Sequence, residues 1–180
     1  MGTHDSHAVV TFWRDAGEQR WFRKDPTFDA DFQRRFLATH EAAAAGALAG
    51  WQAEPEPALA LVILLDQFPR NCFRATARVH ATDIQALGVA GAAIDAGFDL
   101  RTEPALRLFF YLPYSHSESL ADQDRAVELA ARLPGDSQAH ALGHREIVRR
   151  FGRFPHRNAL LGRTSTREEL TYLAAGGFAG

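Results

Sequence analysis

Apolar positions in this chain recur with helical spacing, and one stretch has no polar face at all. Ala58 to Leu65 are eight apolar residues in succession, running straight into Asp66, Gln67, Phe68, Pro69, Arg70 and Asn71. Apolar sequence without a polar stripe is buried on every side. A helix is favoured over a strand, because Glu56 and Pro57 suit a first turn and only Val62 and Ile63 are β-branched. Pro69 is expected to end that helix, since proline has no donor and disfavours helical geometry in the residue before it. The segment therefore carries Asp66 from the middle of a core to its edge, beside Gln67, Arg70, Asn71 and Arg74.

The other elements follow from start and stop signals. His7 to Arg14 reads as a first helix that Gly17 breaks. Asp25 before Pro26 is a side-chain cap followed by proline in the first turn. The helix they open carries Phe28, Phe32, Phe36 and His40 at four-residue spacing on one face. A third long helix is expected from Thr76 or Arg78 to a stop at Gly97, with Ile84 and Leu87 on its apolar face. Thr102 and Pro104 open a helix that should finish before Pro113, and Ser119 with Asp122 resembles a capping box for a helix to about Leu133. Asp136 starts another, roughly 137 to 151. A last short helix is capped by Ser165 with Glu168 or by Thr166 with Glu169, and the tail from Gly176 should fray. No segment alternates as a strand does. The expectation is one all-α domain over residues 1–180, built of antiparallel helix pairs; no 34-residue repeat is visible.

Composition narrows the function classes. The net charge is -2 and neither end carries a basic block, which argues against general nucleic-acid binding. No run reaches the roughly 18 apolar residues of a membrane span, so no membrane association and a soluble, cytoplasmic protein are expected. The single cysteine, Cys72, excludes an internal disulfide or a thiolate metal cluster and reads as a small packed side chain.

Candidate chemistry gathers at the broken ends of helices. Asp66, Gln67, Arg70, Asn71 and Arg74 stand at the first; His116, Glu118, Asp122 and Gln123 at a middle turn; Arg153, His156, Arg157 and Asn158 at the last. Two exits echo each other, residues 68–71 and 154–158, each presenting an aromatic residue and proline, then Arg and Asn. Such groups beside apolar sequence are costly unless paired, so buried ion pairs tying helices together are one reading. The other is a pocket where the exits converge, holding an anionic small molecule through arginine forks. In an enzyme of that kind His116, Glu118 and His156 would be the catalytic groups and the remaining residues would hold the ligand. Further alternatives are a protein-interaction module, a homo-oligomer, or a metal-assisted hydrolase or transferase on a phosphate- or carboxylate-bearing substrate. His140 and His144 have helical ligand spacing, but no glutamate follows His140, and two histidines are weak evidence. Whether the chain is an enzyme, and with what cofactor, is left open.

Residues 61–71, 114–118 with Asp122 and Gln123, 150–158 and 161–165 together resemble a bacterial family catalogued as domain of unknown function 924. The resemblance runs from Phe12 and Trp13 to Glu168 and Glu169. It implies a single all-helical domain similar to tetratricopeptide-like proteins in its superhelical packing, and no assigned reaction. The family's signature residues fall on Asp66, Gln67, Pro69, Arg70, Asn71, His116, Glu118, Asp122, Gln123, Arg153, Pro155, His156, Arg157 and Asn158. Arg14 departs from the pattern, where another aromatic residue is usual.

Overall fold

A computed structural model describes residues 5–179. Among these the chain is all-α, with no strand: α1 (Ser6–Ala16), α2 (Glu18–Trp21), α3 (Pro26–Ala44), α4 (Pro55–Val62), α5 (Phe68–Cys72), α6 (Asp83–Asp95), α7 (Phe98–Arg101), α8 (Pro104–His116), α9 (Leu120–Ala130), α10 (Ser137–Phe151) and α11 (Arg167–Ala174). The chain divides into two compact units. The first comprises the residues up to Arg74 and Arg78–Pro113; the second comprises Ala75–Ala77 and the residues from Tyr114.

In the first unit α4 packs against α1 and α6, and α3 against α5. The four-residue spacing on α3 does what it predicts: Phe28, Phe32, Phe36 and His40 are all buried. Phe12 of α1 stacks on Phe28 and Phe32, with ring centroids 5.1 and 5.2 Å apart, and Trp13 meets Phe109 edge-on at 5.4 Å. Each such ring contributes on the order of 2–3 kcal/mol by leaving water. Asp25 caps α3 through the N–H groups of Thr27 and Phe28. Gly97, with φ of 69°, takes the left-handed turn between α6 and α7 that glycine permits.

The central segment does not stop at Pro69. Its apolar run is buried throughout, but residues Ile63–Gln67 form a π-turn and the helix continues as α5 to Cys72. The Phe68 N–H reaches back five residues to the Ile63 carbonyl, and Pro69 offers no N–H, so the carbonyls between them need other donors. His40 Nδ1 donates to the Leu64 carbonyl at 2.8 Å, and Thr82 Oγ1 to the Leu65 carbonyl at 2.5 Å. Arg70 Nη1 donates to the Asp66 carbonyl at 2.7 Å. Side chains from elsewhere in the fold thus supply what proline removes.

Three further boundaries differ from the sequence expectation. Residues 77–80 form only a short 3₁₀ turn and α6 begins at Asp83, which leaves Ile84 in a first turn and 87% exposed rather than on an apolar face. Helix α8 runs through Pro113 to His116. Its last carbonyls are taken by a side chain, because Gln123 Nε2 donates to Ser115 and Ser117 at 2.9 and 2.6 Å and more weakly to Tyr114. Helix α9 ends at Ala130, short of Leu133.

In the second unit α9 packs against α10, and the 3₁₀ turn Pro155–Arg157 against α11. Ile147, Val148 and Phe154 form a small core, with Phe151 and Tyr172 against it. Thr166 and Glu169 make the complete capping box.

Candidate functional site

Within the first unit the residues around Asp66 form a closed ionic chain. The Asp66 side chain is fully buried and accepts from Gln67 Nε2 at 2.6 Å and from Arg70 Nη1 at 3.2 Å. The same nitrogen donates to Asp83 Oδ1 at 2.8 Å, and His80 Nδ1 lies 3.1 Å from Asp83 Oδ2. One guanidinium therefore lies between two carboxylates. Burial works against the Arg70 cation, but Asp66 and Asp83 more than offset it and its pKa is raised. Asn71 and Arg74 bond instead to Asp29, at 2.7 and 3.0 Å, and Asp29 belongs to α3. Cys72 donates its thiol to the Asp29 carbonyl at 3.7 Å; burial, then the Asp29 charge, pushes it up to about 12, so it stays a thiol.

In the second unit two carboxylates are matched by arginine forks. Glu118 takes Arg163 through both oxygens, at 2.7 and 3.0 Å, and the Phe154 N–H at 2.8 Å. Burial would raise its carboxyl, but Arg163, the Phe154 amide and the nearby Arg157 hold it below the usual range. Arg153 grips Glu169 at 2.6 and 2.9 Å and also donates to the Thr164 carbonyl. Asn158, fully buried, donates to Glu169 and to Ser165. Asp122 accepts from the Ser117 hydroxyl at 2.6 Å.

A different arrangement surrounds His144. Burial first, then the charges of His116, Arg157 and His140, lower its pKa to about 4, while the Ser115 carbonyl opposes the shift by accepting a ring N–H. Arg157 is buried with its guanidinium spread over the Phe154 ring, 4.4 Å from the centroid. His156 and His144 both contact Phe154, at 5.7 and 5.6 Å. Beside this cluster lies a cleft of about 420 Å³ lined by His140, His144, Ile147, Phe151, Tyr172 and Phe178 among others. No trio of His, Cys, Asp or Glu among the described residues is placed to hold a metal ion.

Within the second unit, then, His116, His140, His144 and Arg157 bear on one another, whereas Glu118 and Arg153 are committed to Arg163 and Glu169. Sequence reasoning missed Asp29, Arg163 and Glu169, the partners that decide which candidates are occupied. Glu169 had a signal, as the third helical residue of a capping box; Asp29 and Arg163 had none. It also missed Phe178, which lies in the segment expected to fray and instead packs on His144.

No helix among the described residues is long and apolar enough to cross a membrane. The sequence model of a family described as "Bacterial protein of unknown function (DUF924)" matches residues 9–177. A solved structure of a protein of unknown function from Agrobacterium tumefaciens is similar with a TM-score of 0.93 and 51% sequence identity, covering 95% of this chain and 97% of that one. No curated protein matches the chain.

Proposed function

The chain belongs to this bacterial family of unknown function, and from that premise we propose that its second unit binds a small anionic molecule through Arg157 and the histidines around it. The observation that carries the reading is the imbalance of charge near His144. Three basic groups, His116, Arg157 and His140, act on its imbalanced ring in the same direction, while the carboxylates of Glu118 and Glu169 are each neutralised by an arginine of their own. Like charges gathered in partly buried surroundings repel, and an anion among them relieves that repulsion. Phosphate and carboxylate are the chemical classes that suit a guanidinium fork.

In this reading Glu118 positions the Phe154 amide and Arg163, and the imidazoles of His116 and His156 are the proton carriers of any reaction that follows binding. Asp66, Gln67, Arg70, Asn71 and Arg74 support the first unit, since each is already engaged there in the contacts described.

Isothermal titration with inorganic phosphate and with small carboxylates between pH 5.5 and 8 tests the proposal. Binding should strengthen as pH falls, because an anion favours protonated imidazole, and Arg157→Met should weaken it by about tenfold, the equivalent of roughly 1.4 kcal/mol. Equal affinity in wild type and Arg157→Met, or no binding by any anion, would sink the reading.

A further inference from the structure

The segment after α11 folds back onto its own unit. Gly176 takes a φ of 82°. The Gly177 N–H donates to the Tyr172 carbonyl at 3.0 Å and the Phe178 N–H to the Tyr172 hydroxyl at 2.9 Å. Gly177 lies so close to Tyr172 that a Cβ there would come within 2.5 Å of the ring, and only glycine fits. This path sets the Phe178 ring 4.7 Å from His144, 5.1 Å from His156 and 6.3 Å from Phe154, centroid to centroid. It also makes Phe178 one wall of the 420 Å³ cleft.

Two features do not suit an ordinary core contact. Phe178 remains 39% exposed although its ring is packed on two imidazoles. And His144 Nδ1 is buried with no hydrogen-bond partner among the described residues, while the other ring nitrogen gives its proton to the Ser115 carbonyl. The tautomer follows: Nδ1 is a bare acceptor, shut away from water, and an acceptor in that condition is destabilising until a donor reaches it.

We propose that Phe178 occupies the seat of a ligand's aromatic ring, and that the ligand is a planar hydroxyl-bearing aromatic acid which displaces it. The ring would stack between His144, His156 and Phe154, the hydroxyl would donate to His144 Nδ1, and the acidic group would meet the Arg157 and His116 charges. The inference rests on the anion reading above and adds the class of molecule. Polar and aromatic contacts of this kind are how small-ligand clefts combine affinity with orientation.

The experiment is calorimetric titration of the full chain with the three hydroxybenzoate isomers, the matching methylbenzoates and inorganic phosphate. The proteins are wild type, Phe178→Ala, Gly177→Ala and the double variant His144→Phe with Phe178→Ala. Phe178→Ala should bind at least one hydroxybenzoate about tenfold more tightly than wild type does, with phosphate affinity unchanged. Gly177→Ala, whose Cβ pries the segment off Tyr172, should move in the same direction. The preference for hydroxyl over methyl should vanish in the double variant. Phosphate binding without any gain for a hydroxybenzoate would overturn this inference and leave the anion reading standing. A gain shared equally by methylbenzoates would remove the role given to His144, and no binding of phosphate or any benzoate would remove both proposals.

Discussion

Glu169 receives four donors at once: Arg153 Nε and Nη2, the Asn158 amide and the Thr166 backbone N–H. Arg153 above all, with Thr166 and Asn158, holds its carboxyl at about 2 against an ordinary 4.5, with burial opposing. A carboxyl lowered on folding stabilises the native state above its unfolded pKa, and that contribution fades as pH falls through the window from about 4.5 to about 2. Glu169→Gln should therefore destabilise by about 2 kcal/mol at pH 7, measured by urea unfolding, and the difference from wild type should shrink toward pH 2. His144 has the other sign of group but the same direction with pH. Its folded pKa of about 4 lies below the ordinary 6.5, so the unfolded chain binds the proton more readily between those values. Stability contributed by neutral His144 is present above 6.5 and declines as pH drops toward 4. His144→Phe should flatten that part of the stability profile; an unchanged slope would show that His144 is not buried as described.

At the scale of elements, the helix caps were legible and the proline interruptions were not. Asp25 with Pro26 and Thr166 with Glu169 act on N–H groups two or three residues away, so sequence alone carries the information. Pro69 and Pro113 read as stops because proline removes a donor. Whether a helix survives that loss depends on who supplies the orphaned carbonyls, and here His40 lies 24 residues from Leu64 and Thr82 17 residues from Leu65. Thr82→Val keeps shape and removes the donor to Leu65. It should cost about 1–3 kcal/mol, as expected for a buried carbonyl left unpaired, with the midpoint of urea unfolding as the readout. A Thr82→Val protein as stable as wild type would show that the π-turn does not depend on that contact.

For the whole molecule, the all-α class and the large aromatic core were readable from spacing, because helical periodicity is a property of neighbours three and four apart. The pairing of the polar candidates was not, because Asn71 with Asp29 and Glu118 with Arg163 span 42 and 45 residues. The two units also differ in what they bury. The first holds Trp13, Phe32, Phe68 and Phe109 fully buried along with the apolar run of α4, while the second has the cluster of Ile147, Val148 and Phe154 supported by half-buried Phe151 and Tyr172. Local opening follows the density of buried apolar contacts. Hydrogen exchange should accordingly find amides of α10 and α11 opening before those of α3 and α4. Equal protection throughout would mean that the units unfold as one.

The π-turn at Ile63–Gln67 has a consequence for the reading frame of the fold. A π-turn stores one residue more than an α-helix needs over the same rise. Losing a single codon from that stretch would let the segment anneal into regular helix without a gap, a repair no other buried part of the chain offers. The repaired helix would nevertheless emerge rotated by about 100°, carrying Arg70 and Asn71 away from Asp83 and Asp29. Gene variants shortened there would thus be foldable in the middle and miswired at the end.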